Sequence, residues 1–272
     1  MIAGILPRTK PKQSLGQNFL IDDNIARKIV REMNPSKYDV AVEIGPGRGA
    51  LTKHLGEAVR HLFAVEIDSR IVNELRATFT SSHVAILHQD FLETDLAALK
   101  NQCQQKLRLV GNIPYHLTSP ILFKIFEARS FVEDVTMMIQ REVALRITAQ
   151  PGTKQYGILS VFSRFYGTPK ILFTVSPHCF YPAPKVTSAV VNVTLHKKIP
   201  NDVDEQIFAT VVKTSFGKRR KTLRNSLMYL PYDTSTVDTM LGEIDFPLEK
   251  RPEQLSLEEF IQLTQQIERF IT

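Results

Sequence analysis

The chain has 272 residues, 43% hydrophobic and 23% charged, which is enough apolar material for a core and argues against a disordered or fibrous protein. No stretch approaches the roughly 20 apolar residues that span a bilayer, and Met1 to Lys12 lacks the apolar segment of a secretory signal, so a cytoplasmic location and no membrane contact are expected. The formal charge of +6 is uneven, with 25 Lys and Arg against 16 Asp and Glu in residues 1–200 and 9 against 12 beyond; by itself it points only weakly to a polyanionic partner.

In chain order, a basic, loop-like start through Arg8, Lys10 and Lys12 leads to Gln17-Asn18-Phe19-Leu20. Asp22 or Asp23 can cap a following helix in which Ile25, Ile29 and Val30 share a face, and Asn34-Pro35 ends it. Asp39 to Ile44 has the β-branched character of a buried strand and runs into Gly45-Pro46-Gly47-Arg48-Gly49, after which Leu51 and Leu55 resume helical spacing. A second strand, Leu62 to Val65, ends on Glu66, and a helix is expected over 69–78. The third strand, Val84 to Leu87, leads to Asp90. The fourth, Leu107 to Val110, runs into Gly111-Asn112-Ile113-Pro114-Tyr115. Ser119-Pro120 opens a helix carrying Ile121, Leu122, Ile125 and Phe126, since proline is tolerated in a first turn.

A fifth strand covers Val135 to Ile139. Tyr156 to Tyr166 reads as helix, and Ile171 to Val175 with Val186 to Leu195 as a closing antiparallel pair. Strands alternating with helices predict an open α/β sheet, mostly parallel and finished by a hairpin. Lys197 to Asn201 marks a boundary between a domain of residues 1–200 and one of 201–272, where Ile207, Val211 and Val212, then Leu223 and Leu227, then Leu257, Phe260, Ile261 and Ile267 recur at helical spacing. The second domain is expected to be small and helical.

In such a sheet the ligand lies beyond the carboxyl ends of the strands, so Gly45, Glu66, Asp90 and Asn112 are expected to face one crevice. Gly45-x-Gly47-x-x-Ala50 satisfies a permissive dinucleotide fingerprint, with Glu66 placed for ribose hydroxyls and Asp90 for an exocyclic amine. Asn112-Ile113-Pro114-Tyr115 offers a side-chain carbonyl, a backbone carbonyl held by proline and a flat ring, a set suited to a planar base bearing an amine. Lys213, Lys218, Arg219, Arg220, Lys221 and Arg224 crowd within twelve residues; such a run binds phosphates, serves as a localisation signal, or is a solvated helix face. Cys103 and Cys179 and the seven histidines have no metal-ligand spacing, His116 reads as a pocket wall, and no metal is expected. At this point a nicotinamide oxidoreductase and a non-catalytic RNA-binding or transcription factor remain open beside an enzyme acting on a base.

Six motifs occur together and in order: Gln17-Asn18-Phe19-Leu20, Val42-Glu43-Ile44-Gly45-Pro46-Gly47-Arg48-Gly49, Glu66-Ile67-Asp68, Gly111-Asn112-Ile113-Pro114-Tyr115, Phe180-x-Pro182-x-Pro184-Lys185-Val186 and Ser215-Phe216-x-x-Arg219-Arg220-Lys221. From about Gln13 to Leu227 the chain resembles the rRNA adenine N6-dimethyltransferases, most closely their small-subunit (16S) branch linked to kasugamycin sensitivity. The resemblance implies a Rossmann-like class I methyltransferase, monomeric, using S-adenosyl-L-methionine and releasing S-adenosyl-L-homocysteine, with 16S rRNA of the assembling small ribosomal subunit as partner. It places Asn18, Leu20, Gly45, Gly47, Glu66, Asp90 and Asn112 on the cofactor and Asn112, Ile113, Pro114, Tyr115 and Phe180 around the target adenine. Lys218, Arg219, Arg220, Lys221 and Arg224 would hold RNA. Ile113 stands where many relatives have leucine, and Ser14-Leu15 where a basic and an aromatic residue are common.

Overall fold

The computed structural model describes residues 9–199 and 203–271. Arg8 of the basic start, and Pro200 and Asn201 of the expected boundary, lie outside the described residues. Along the chain come β1 (Phe19–Leu20), α1 (Asp23–Met33), β2 (Val40–Ile44), α2 (Ala50–Ala58), β3 (His61–Glu66), α3 (Ser69–Thr78), β4 (Val84–His88), α4 (Leu96–Cys103), β5 (Leu107–Asn112), α5 (Thr118–Glu127) and β6 (Val132–Gln140). After them follow α6 (Arg141–Thr148), α7 (Ile158–Tyr166), β7 (Gly167–Val175), β8 (Phe180–Tyr181), β9 (Ser188–Leu195), α8 (Glu205–Gly217), α9 (Leu223–Leu227), α10 (Thr234–Glu243) and α11 (Leu257–Ile271).

The described residues form two compact units, 9–144 with 169–195 and 145–168 with 196–199 and 203–271. In the first, seven strands lie in the order β4-β3-β2-β5-β6-β9-β7. β2, β3, β4, β5 and β6 pair in parallel and β9 runs antiparallel to β6, the α/β class expected from the alternation of elements. β2 is buried along its whole length, because a central parallel strand is covered on both faces and reads as a continuous apolar run. The sheet is built outward in both directions from β2, with β3 on one side and β5 on the other. That reversal of strand order opens a crevice at their carboxyl ends.

α1 shows how local sequence fixes an element. The Asp22 side chain accepts from the Asn24 and Ile25 N–H groups, and Asn34 closes the helix in the left-handed region at φ 50°, where asparagine is tolerated better than most residues. Ala26, Ile29, Val30 and Met33 form its buried stripe and pack with Leu51, Leu55, Leu62, Val110 and Met138 over one face of the sheet. Ile71, Val72 and Leu75 of α3 pack with Phe19, Ala64 and Ile86.

The second unit is helical and takes in residues 145–168 beside those that follow residue 195. The reason is aromatic packing: the rings of Phe162 and Phe165 on α7 lie 5.9 and 4.0 Å from that of Phe208 on α8, and α11 buries Phe260, Ile261, Leu263 and Ile267 in the same unit. The sequence pattern predicts neither the helices α4, α6 and α10 nor the short strands β1 and β8. β1 and β8 form a separate antiparallel pair, Phe19 opposite Tyr181 and Leu20 opposite Phe180; two-residue strands carry no periodicity to read.

Candidate active site

One cleft gathers Asn18, Leu20, Gly45, Gly47, Glu66, Asp90, Asn112, Ile113, Pro114 and Tyr115 along its walls, together with His116. The four strand-end residues therefore open onto a single space, as their register demands. Gly45 sits at φ +64°, in the left-handed region, and a Cβ built there would meet no atom within 4 Å. Since Gly45 lines the cleft, the missing side chain is what keeps backbone accessible to a ligand.

The turn after β2 is tied to the end of β3. Glu66 is 5% exposed; its Oε2 accepts from the Gly47 N–H at 3.2 Å and its Oε1 from the Asp68 N–H at 2.9 Å. Burial pushes the Glu66 carboxyl upward from its ordinary range, against those donors. Each oxygen keeps a second lone pair for hydroxyl donors. At Asp90, Oδ1 accepts from the Leu92 N–H at 2.8 Å, while Oδ2 has no partner among the described residues and remains an acceptor.

Asn112 ends β5. Its Nδ2 donates to the Asn18 carbonyl at 2.8 Å, which engages one of the amide's two N–H donors on the N-terminal segment, fixes the orientation of the group and leaves Oδ1 as an acceptor with no other partner among the described residues. The segment that supplies Asn18 is itself anchored: Gln17 Nε2 donates to Asp68 Oδ2 at 3.2 Å, Lys12 lies 3.9 Å from Asp68, and Thr9 donates to Glu74 from its N–H and hydroxyl. Asp68 is held at about 2 by its hydrogen bonds to Arg70 first and to Gln17 after it. Beyond Ile113 and Pro114, the Tyr115 hydroxyl meets Ser188 Oγ at 2.9 Å, and burial raises its pKa, so the ring is held in place and uncharged.

Glu43, Ile67 and Arg48 are among the lining residues that stand in the quoted motifs without an assigned role. Glu43 is 1% exposed within β2, accepts from Thr52 Oγ1 at 2.7 Å and is pushed up to about 8 by burial. An acid inside an otherwise apolar strand is the clue that could have found it. Ile67, half exposed beside Glu66, and Arg48, in the glycine turn, also line the cleft. Phe180 is the one expected pocket residue set apart from them. It is 3% exposed and packs in the core with Leu20 and Val175, because pairing of β8 with β1 turns it inward.

In the second unit the basic cluster divides by partner. Arg219 Nε pairs with Glu253 at 2.7 Å and its Nη2 donates to the Lys154 carbonyl, while Arg224 donates to the Leu241 carbonyl at 3.0 Å. Lys218 lies over the Tyr229 ring at 4.8 Å. Arg220 and Lys221 are exposed and make no side-chain hydrogen bond or ion pair among the described residues. Among those residues, no group of three or more His, Cys, Asp and Glu side chains could hold a metal, and no helix is long and apolar enough to cross a membrane.

Comparison with known proteins gives consistent matches. A family profile described as ribosomal RNA adenine dimethylase matches residues 8–267. The chain is 43% identical over 258 residues to a protein named ribosomal RNA small subunit methyltransferase A from Protochlamydia amoebophila, covering 93% of this chain and 90% of that one. It is 39% identical over 259 residues to the like-named protein of Francisella tularensis subsp. tularensis, covering 94% and 97%. In fold it is similar to a dimethyladenosine transferase from Plasmodium falciparum, with a TM-score of 0.78 at 21% identity over 93% of this chain and 98% of that one. The 23S rRNA methyltransferase ErmE gives 0.68 at 24% over 92% and 100%.

Proposed function

This chain belongs to the ribosomal RNA adenine dimethylase family, and from that premise we propose that it transfers methyl groups from S-adenosyl-L-methionine to the N6 amines of two adjacent adenines in a 16S rRNA hairpin loop, during assembly of the small ribosomal subunit. It acts as a monomer in the cytoplasm. The observation that carries this reading is the Asn112 amide, fixed by Asn18 with Oδ1 left as an acceptor in the cleft shared with Glu66 and Asp90. An oxidoreductase built on the same glycine turn would leave Asn112 to Tyr115 without a task, and neither it nor a non-catalytic RNA-binding protein draws support from a match spanning residues 8–267.

The residues present fit the cofactor. Glu66 would accept from its ribose hydroxyls, Asp90 Oδ2 from its exocyclic amine, and the open backbone at Gly45 and Gly47, with Asn18 and Leu20, would receive the amino-acid end. Bound there, S-adenosyl-L-methionine supplies an electrophilic methyl group on a sulfonium. The chain's own contribution concerns the adenine. Its N6 lone pair is delocalised into the ring, so Asn112 Oδ1 and the Ile113 carbonyl, each accepting an N6–H bond, draw the nitrogen toward tetrahedral geometry and aim it. Pro114 holds that carbonyl and Tyr115 stacks on the extruded base. The proton shed after each transfer passes to water, and the pocket must admit a monomethylated amine for the second round. Phe180 backs this wall from the core. Lys218, Arg220 and Lys221 take phosphates, whereas Arg219 and Arg224 position the surface that carries them.

The test supplies unmodified small subunits and tritiated cofactor to the wild type and to Asn112→Ala. We expect label on adenine N6 with the wild type and a loss of at least about 100-fold in the variant, with its melting temperature retained. A wild type that labels no small-subunit rRNA rejects the function, and undiminished labelling by the variant rejects the role of Asn112.

A further inference from the structure

Arg48 lines the cleft and carries its guanidinium over two rings. Its guanidinium carbon lies 4.6 Å from the centre of Phe19 and 5.6 Å from that of Tyr181, residues that stand opposite each other in the β1–β8 pair. Phe19 is buried, whereas Tyr181 is 54% exposed, so it is the Tyr181 ring that offers surface to solvent. The Arg48 cation has no counter-ion among the described residues. Arg48 Nη2 donates to the Thr9 carbonyl at 2.9 Å, Nε is buried without a partner, and Arg48 makes no ion pair among the described residues.

An aromatic face open to solvent beside a guanidinium lacking a counter-ion matches the two halves of a nucleotide: a base stacks on the ring, and the phosphate supplies the missing negative charge. Phe19 and Arg48 also line the cleft that holds Asn112. The geometry points to Tyr181 and Arg48 as a subsite for the rRNA nucleotide adjacent to the adenine being methylated. This deepens the proposed function and rests on it. When one adenine is drawn out of its stack its neighbour loses a stacking partner, and Tyr181 replaces that partner; the same contact would place the second of two adjacent adenines for its own turn. Tyr181 is not among the residues that line the cleft, so it acts on binding and not on the transfer step.

Steady-state methylation of unmodified small subunits, with calorimetric binding of S-adenosyl-L-homocysteine to the same full-length proteins, tests this. Tyr181→Ala should raise the KM for RNA about 5- to 150-fold, the range of one lost base stack, with kcat and cofactor affinity within about twofold. Tyr181→Phe, which retains the ring, should restore most of that KM. Arg48→Gln should reduce the salt dependence of RNA binding by about one phosphate contact, whereas Tyr181→Ala leaves that slope unchanged. An unchanged KM in Tyr181→Ala removes the subsite while leaving the methyltransferase reading intact, and so does a rise matched by an equal loss of cofactor affinity. A wild type that transfers no methyl group to rRNA removes both.

Discussion

Glu43→Gln isolates an electrostatic cost built into the floor of the cleft. The Glu43 carboxyl is 1% exposed in a central strand, and among the described residues its partner is Thr52, whose hydroxyl donates at 2.7 Å. Burial moves it from 4.5 up to about 8. The folded protein therefore holds this proton more tightly than the unfolded chain does. Below about pH 4.5 the group is protonated in both states and costs nothing through ionisation. As pH rises toward 8 the unfolded chain ionises while the folded one resists, and stability falls by about 1.4 kcal/mol per unit. The full excursion from 4.5 to about 8 is worth on the order of 5 kcal/mol at the slope of one proton. A glutamine keeps the shape and still accepts from Thr52, but it cannot ionise.

Urea unfolding of the two proteins across that range, at constant ionic strength, gives the difference directly, because every other titrating group is common to both. The stability difference should be flat below about pH 4.5, climb in favour of the variant, and level off above about pH 8. A difference that does not depend on pH would refute the assignment of a buried, proton-holding Glu43.

The remaining predictions concern other parts of the structure. A Cβ on Gly111 would sit 2.5 Å from the Ile44 carbonyl oxygen, so Gly111→Ala forces β2 and β5 apart; denaturant unfolding should show a loss of about 1–3 kcal/mol, with weakened cofactor binding. Ser188→Ala removes the partner of the Tyr115 hydroxyl and should lower kcat about fivefold, the worth of one hydrogen bond. Tyr115→Phe should lose a similar amount, and the double variant little more, if the two act as one unit. Arg219→Ala breaks the ion pair with Glu253 and should lower the melting temperature, whereas Arg220→Ala should leave it unchanged and reduce the salt slope of rRNA binding by about one.

The chemistry of the site was legible wherever it depends on neighbours in sequence. A strand that runs into a glycine turn, acids that terminate strands, and Asn112 followed by Ile113, Pro114 and Tyr115 are covalently local patterns, and once the strands are parallel their register alone carries Gly45, Glu66, Asp90 and Asn112 to one edge. What the side chains do there could not be read the same way. Asn112 presents its acceptor oxygen in a fixed direction because Asn18, 94 residues earlier, holds one N–H of the same amide. Phe180 turns inward because Leu20 pairs with it, and Arg219 is committed to Glu253, so a run of similar charges separates into braces and free cations. Periodicity and turn chemistry are set by torsions and burial within a few residues; the orientation of an amide, the exposure of a ring and the partner of a cation are set by groups that only the folded chain brings within hydrogen-bonding distance.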